Sequence, residues 1–430
     1  MRVYVRRFLA LTYVTFCIIL TLLHQQRAIL NVLKHATTTT RSAKTTDQKS
    51  ELFSPKSWFN QKTENPKQTS VRTGPKPVFL WPDEDNSTDR ILDQIRNIPP
   101  ESGNGKSELL IYLPHGYPAW DLPPDSEIFH REKCPVTNCR LTTNGIYARR
   151  ADAVVFRHQI SEPYPQEERP PGQIWILYSL ESPENTPNYS RFNGMINLTA
   201  TYRWDSDMVT PYGKYISYGD DPHRPRITYG HRPSSPAELS YAANKTRMVA
   251  WFVSNCFTAN NRRKIAEELS QHISVDVFGS CGQKRCSRYS RDCFRLLDTD
   301  YRFYLSFENS NCRDYITEKY FDNALKHAII PVVFGAPRAD YERVSPPHSF
   351  IHVDDFPSIR DLADYLHYLA RNQTAYNEYL AWKADGRLIN TKFWCRLCAI
   401  LQQPPQKIYH DLEGWWRPPG ICRRGGKGWT

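Results

Sequence analysis

The run Arg302-Phe303-Tyr304-Leu305-Ser306-Phe307-Glu308-Asn309-Ser310-Asn311-Cys312-Arg313-Asp314-Tyr315-Ile316-Thr317-Glu318-Lys319 decides the fold class of this chain. Phe303 to Phe307 is apolar enough to be a buried strand, and it ends at Glu308-Asn309. A short polar loop follows, with Asp314 placed to cap a helix. From Ile316 onward, Tyr320, Phe321, Ala324, Leu325 and Ala328 recur at helical spacing, and Ile329 to Phe334 reads as another buried strand before Gly335. Strand, polar loop, helix, strand is a βαβ unit. Its charged residues lie where the strand hands over to the helix, the end at which open α/β sheets bind ligands and helix N-termini favour phosphate. Any βα loop carries polar residues; the number of ionisable groups packed into this one asks for a further reason.

Working outward, Leu109 to Leu113, Ala153 to Phe156 and Ile174 to Tyr178 are further buried-strand candidates, which suits an α/β domain of Rossmann type. No G-x-G-x-x-G is present, which argues against a dinucleotide oxidoreductase. The last of these strands delivers Ser179-Leu180-Glu181-Ser182-Pro183, a carboxylate at the crevice end of a sheet. Pro211 to Pro236 lacks helical period and reads as a linker or an ordered active-site loop. The second half opens with a strand, Met248 to Asn255, and a helix from Asn260 or Asn261. Arg262, Arg263 and Lys264 then fall in its first turn, where cations oppose the helix dipole at a cost of a few tenths of a kcal/mol, roughly. A bound diphosphate would remove that conflict. Val275 to Gly279 supplies the next strand, and Pro357 to Trp382 reads as two helices joined near Asn372.

The 430 residues, 40% hydrophobic and 23% charged, suffice for one or two ordinary domains. The net charge of +11 is dispersed and no nucleic-acid motif accompanies it, so an anionic small substrate is the simpler partner. Asn86, Asn188, Asn197, Asn244 and Asn372 each begin an N-glycosylation sequon. Setting Cys17 aside, ten of the eleven cysteines remain, an even number for disulfides in an oxidising compartment. Phe8 to Leu23 is an uncharged apolar run behind Arg2, Arg6 and Arg7, with no clear cleavage site after it, and reads as a single-pass type II anchor. Ala36 to Lys76, rich in Thr, Ser, Lys, Gln and Pro, reads as a flexible stem. Cys395-x-x-Cys398 lacks the partners of a zinc site. Asp205-Ser-Asp207 and Asp298-Thr-Asp300 have the spacing of a metal-binding D-x-D, but such pairs are common on surfaces, and no metal is assigned.

Phe-Tyr-Leu-Ser-Phe-Glu-Asn-Ser followed by Asp-Tyr-Ile-Thr-Glu-Lys resembles the signature of the α1,3-fucosyltransferases (glycosyltransferase family 10), and Leu-Glu-Ser-Pro resembles the segment carrying their catalytic base. The resemblance implies a GT-B fold of two Rossmann-like domains. It divides the chain into a cytosolic tail (1–7), a transmembrane signal-anchor (8–24), a stem (25–76), an acceptor-side domain (77–240), a GDP-fucose-binding domain (241–382) and a tail (383–430). It also implies Cys395 and Cys398 paired with Cys134 and Cys139. Glu181 becomes the base, Arg262 the pyrophosphate ligand, and Arg263 and Lys264 solvated neighbours. Lys319 helps offset leaving-group charge, Glu318 holds fucose hydroxyls, and Tyr315 and Asn309 position the nucleotide sugar. Tyr202, Arg203 and Asp205 are candidates for shaping the acceptor cleft. The implied reaction moves L-fucose from GDP-β-L-fucose to the 3-hydroxyl of GlcNAc with inversion. It requires no metal, although Mn2+ stimulation stays open. The partners are GDP-fucose, an N-glycan or glycoprotein acceptor and the Golgi membrane, without nucleic acid. The Leu-Trp-Pro start and the Trp-Trp-Arg-Pro-Pro-Gly-Ile-Cys ending resemble invertebrate enzymes that fucosylate the innermost Asn-linked GlcNAc. Fucosylation of outer N-acetyllactosamine or LacdiNAc, another GDP-sugar, and an inactive glycan-binding relative are the alternatives.

Overall fold

The computed structural model describes residues 78–99, 107–161, 166–219, 241, 244–286 and 291–428. The apolar N-terminal run, the stem and residues 220–236 of the Pro-rich stretch lie outside the described residues. Among the described residues no helix is long and apolar enough to cross a membrane.

The first half contributes β1 (Leu109–Tyr112), β2 (Cys139–Thr142), β3 (Ala153–Phe156), β4 (Ile174–Ser179) and β5 (Leu198–Thr201), then β6 (Lys214–Ser217). The second half contributes β7 (Arg247–Phe252), β8 (Val275–Phe278), β9 (Tyr301–Phe307), β10 (Asn311–Cys312), β11 (Ile330–Phe334), β12 (Ile351–His352), β13 (Gly386–Ile389) and β14 (Cys422–Arg423). Two five-stranded sheets result, ordered β2-β1-β3-β4-β5 and β12-β11-β9-β7-β8, with every pairing parallel. Counted within its own half, each sheet has the order 2-1-3-4-5. The strand order therefore reverses between β1 and β3, and between β7 and β9, which opens a ligand crevice at the carboxyl ends of those strands.

β1, β3 and β11 are buried throughout, and β9 at every position except Arg302. Strands covered on both faces read as continuous apolar runs, which is why these stand out in the sequence. Pro331 fits inside β11 because β12 pairs only with Val332 and Val333, so the strand is an edge beside it. β2 and β5 were not foreseen. β5 is Leu-Thr-Ala-Thr, and its buried threonine hydroxyls are satisfied by Asp207 Oδ2 at 3.1 Å and Ser206 Oγ at 2.6 Å.

One expected boundary moves. The helix after β9 begins at Glu318 with Thr317 as its N-cap, makes one α turn to Tyr320, and continues as a π-helix over Phe321–Leu325. Asp314 does not cap it. That residue lies at φ 61° with its carboxylate taken by Arg343 and by the Trp204 N–H at 3.0 Å. The other helices follow the pattern. Arg262–Ser270 carries Asn261 at its N-cap, and Ile359–Arg371 and Gln373–Glu378 meet at Asn372.

The chain then returns to the first half. β13 pairs antiparallel with β6, and the helix Phe393–Gln402, buried at all ten positions, packs on β1 and β3 beside Leu109, Ile111 and Val155. Disulfides Cys134–Cys395 and Cys139–Cys398 fasten it there, and Cys312–Cys422 fastens the last segment to the β9 exit. The remaining disulfides are Cys256–Cys281 and Cys286–Cys293.

Candidate active site

Six consecutive residues at the exit of β9 together hold four other segments of the chain. The Phe307 carbonyl accepts from Arg262 Nη1 at 2.7 Å. The Glu308 side chain takes Thr317 and Lys319. Asn309 reaches Glu181, Ser310 meets Ser182, Asn311 accepts from Asn260, and Cys312 closes the disulfide to Cys422. A βα turn at the switch point of the second sheet thereby gathers the ends of both halves.

Glu181 stands two residues past β4, and its Oε1 collects the surrounding donors. The Tyr315 hydroxyl donates at 2.8 Å, the Ser182 N–H at 2.9 Å, Asn185 Nδ2 at 3.4 Å and Asn309 Nδ2 at 3.5 Å. Tyr315 is buried. That burial, with the Glu181 and Glu308 carboxylates beside it, pushes its hydroxyl well above the ordinary tyrosine range, so it remains a donor. Its ring lies 5.1 Å from that of Tyr202, which fixes the approach. Ser182 Oγ and Ser310 Oγ, 2.8 Å apart, lock the two strand exits together.

Glu308 is a buried acid of this exit that the sequence did not disclose. It is fully buried, with Oε1 accepting from the Thr317 N–H at 2.8 Å and Oε2 from Thr317 Oγ1 at 2.9 Å. Lys319 Nζ lies 3.2 Å from Oε2 and also donates to Thr317 Oγ1 at 2.9 Å and Glu318 Oε1 at 3.0 Å. Burial pushes the Glu308 carboxyl up while Lys319 pulls it down. Burial would likewise lower Lys319, but Glu308 and Glu318 outweigh it and hold the ammonium above its ordinary value. Glu318 feels the same burial yet is held below its ordinary value by Lys319 and Thr317. The result is a charged lysine shared by two acids, with the Glu318 side chain 42% exposed toward solvent. Gly335 makes room for it, since a Cβ there would lie 2.7 Å from Glu308 Cβ, at a φ of +147°.

Arg262, expected from the resemblance to be the pyrophosphate ligand, is held by the fold at the exits of β7 and β9. Its side chain is buried, with Nη1 on the Phe307 carbonyl, Nη2 on the Asn255 carbonyl at 2.9 Å, and Nε without a partner among the described residues. The guanidinium braces the ends of β7 and β9 from beneath. Arg263 and Lys264 are exposed, and Arg263 pairs with Glu267 at 2.7 Å.

The acceptor-cleft candidates are largely occupied by the fold. Arg203 forks onto Asp205 at 2.9 and 2.6 Å and donates to the Trp415 and Trp416 carbonyls, pinning the tail. Asp207 is consumed by Lys407 at 2.6 Å and the Tyr409 hydroxyl at 2.9 Å. Asp298 binds His327 Nδ1 at 2.8 Å and the Ala328 N–H at 2.7 Å. Among the sequons, Asn86, Asn188 and Asn244 are exposed. Asn197 is built in instead, its Oδ1 accepting from the Trp175 N–H and its Nδ2 donating to the Lys407 carbonyl, both at 2.9 Å. Asn372 caps a helix and donates to the Tyr368 hydroxyl at 3.1 Å.

Residues 106–213 match the model of the fucosyltransferase N-terminal region, and residues 242–415 that of the glycosyltransferase family 10 (fucosyltransferase) C-terminal region. The chain is 41% identical over 374 residues to glycoprotein 3-alpha-L-fucosyltransferase A of Drosophila melanogaster, covering 84% of this chain and 71% of that relative. It is 41% identical over 292 residues to alpha-(1,3)-fucosyltransferase 7 of Bos taurus, covering 66% of this chain and 79% of the relative. A solved structure of an alpha1,3-fucosyltransferase with GDP-fucose is similar at 18% identity and a TM-score of 0.45, covering 74% of this chain and 97% of that one.

Proposed function

The chain belongs to glycosyltransferase family 10, the fucosyltransferases, and from that premise we propose that it moves L-fucose from GDP-β-L-fucose to the 3-hydroxyl of a GlcNAc in glycoprotein glycans. The observation that carries this reading is the contact of Glu181 with Tyr315 and Asn309, which sets a carboxylate from one half against the β9 exit of the other. Two parallel sheets of the same order meeting at their carboxyl edges support the GT-B arrangement.

In the proposed reaction the acceptor hydroxyl gives its proton to the Glu181 carboxylate as its oxygen bonds to the fucose anomeric carbon. The bond from that carbon to the diphosphate breaks on the opposite face, and GDP leaves with the electron pair. A single displacement of this kind inverts configuration and needs both a base and charge stabilisation at the leaving group. Lys319 and the buried Arg262 supply positive charge at the β9 exit, where low dielectric strengthens it. Glu318, ionised and partly exposed, is suited to accept fucose hydroxyls. Asn309 and Tyr315 orient the donor against the base. We propose that the chemistry runs without a resident metal, since Asp205, Asp207 and Asp298 are engaged by side chains and backbone of the fold.

The acceptor we favour is the innermost, Asn-linked GlcNAc, on the resemblance of the Leu-Trp-Pro start and the Trp-Trp-Arg-Pro-Pro-Gly-Ile-Cys ending, and a match over 84% of the chain to a Drosophila relative named for glycoprotein fucosylation is consistent with it. Transfer to outer N-acetyllactosamine is the alternative reading. Five disulfides and three exposed sequons support residence in an oxidising, glycosylating compartment, proposed to be the Golgi lumen with residues 8–24 as the anchor. Incubation with GDP-fucose and either a trimmed N-glycopeptide or N-acetyllactosamine tests the reading. Fucose on the innermost GlcNAc is expected. Transfer to N-acetyllactosamine alone overturns the acceptor, and transfer to neither overturns the reaction.

A further inference from the structure

The last described residues, Arg423-Arg424-Gly425-Gly426-Lys427-Gly428, lie beyond the matched region 242–415 and cross the carboxyl edge of the second sheet. Their course is fixed at three strand ends. The β10–β14 pairing and the Cys312–Cys422 disulfide tie the start to the β9 exit. The Gly425 N–H donates to the Ala259 carbonyl, in the loop after β7, at 3.1 Å, and its own carbonyl accepts from Asn311 Nδ2 at 3.3 Å. The Gly428 N–H donates to Asp354 Oδ1, just past β12, at 2.9 Å. In the sheet order β11 lies between β9 and β12, so Gly426 and Lys427 span the end of β11, where Gly335 packs on Glu308.

Composition and conformation agree with that position. Gly425 and Gly428 have φ of +101° and +99°, a backbone that residues with a Cβ rarely adopt, so the path itself calls for glycine. Three of the six residues are cations. Arg424 is spent on Glu184 at 3.2 Å, which ties the strap to the first half near Glu181. Lys427 is half-buried and has no ion-pair partner among the described residues. Of the acids at the β9 exit, Glu308 and Glu318 already share Lys319, and Glu181 is held by Tyr315, Ser182, Asn185 and Asn309. A half-buried ammonium without an ion pair, on a strap that crosses the ends of β9, β11 and β12, is suited to an anionic ligand.

We propose that this strap is part of the donor site and that Lys427 binds the diphosphate of the nucleoside diphosphate sugar, an inference that rests on the β9 exit holding the donor. Titration of the full chain with GDP by calorimetry tests it directly. Lys427→Ala is expected to weaken GDP binding about tenfold, as loss of one charge-assisted hydrogen bond implies, with an unchanged melting temperature and most of the affinity regained by Lys427→Arg. In fucosyl transfer the same substitution raises the KM for GDP-fucose and leaves the acceptor KM alone. GDP affinity equal to that of the unaltered protein in Lys427→Ala, at equal stability, overturns the assignment. Absence of transfer by the unaltered protein overturns the proposed reaction instead, and the GDP titration still decides the role of the strap.

Discussion

Removing Lys319 perturbs the site at its most charged point. Its Nζ lies 3.2 Å from a Glu308 carboxylate that is fully buried, and at an effective dielectric of about 20 that attraction is about 5 kcal/mol. Loss of one partner leaves the other as an uncompensated buried charge, typically about 3–5 kcal/mol. The lower end is expected for Lys319→Ala, because Glu308 keeps two hydrogen bonds to Thr317 and is able to take up a proton. Glu308→Gln neutralises the acid while retaining an acceptor for Thr317, so adding it to Lys319→Ala returns roughly 2 kcal/mol. Denaturant melts of the four proteins at pH 7 give the coupling. The sign of the pH dependence follows from the lysine. Its folded pKa is raised, so its contribution is complete below 10.5 and disappears as pH rises through the higher folded value. Stability of the unaltered protein minus that of Lys319→Ala therefore shrinks in that alkaline window. Additive effects within about 0.5 kcal/mol would refute the ion pair and the reasoning built on it.

Two further substitutions probe the same exit. Tyr315→Phe removes the 2.8 Å donor to Glu181, and a loss of about 1.5–3 kcal/mol should lower kcat for fucosyl transfer roughly tenfold or more while the fold melts normally. A kcat equal to that of the unaltered protein would detach Tyr315 from the base. Gly335→Ala sets a Cβ 2.7 Å from Glu308 Cβ, so stability should drop by about 1–3 kcal/mol and GDP affinity should fall with it, read by melting and by calorimetry. Unchanged values for both would show that Glu308 has room to move.

Much of this was legible in the chain, and what was not has physical causes. β9 and β11 announce themselves because both faces are covered and nearly every position is apolar. β5 does not, because its threonines are buried through hydrogen bonds to Asp207 and Ser206 rather than through hydrophobicity. Asp314 has the right residue type for an N-cap, but Arg343 draws it away over 29 positions, and helix-capping rules see only neighbours. Glu308 reads as the polar end of a strand, and nothing local reports that it is buried. The available signal was Lys319, eleven positions on, since an acid closing an apolar strand needs a partner. Arg262 was legible as a cation in the first turn after β7, but its turn inward depends on two carbonyls, Phe307 and Asn255, that no side-chain pattern reveals. The strap was opaque because glycine and arginine at a terminus look like a loose end. Only the anchors at Ala259, Asn311 and Asp354 give it a place.

The central claim is that a carboxylate delivered by β4 acts as base on a donor held at the β9 exit. Single-turnover transfer from GDP-fucose by Glu181→Gln, alongside GDP titration of the same protein, tests it most directly. The glutamine retains an acceptor for Tyr315 and Ser182 but takes no proton from the sugar hydroxyl. Transfer about a hundred- to ten-thousand-fold slower, with GDP affinity unchanged, is the result predicted. Transfer at the rate of the unaltered protein would contradict the account.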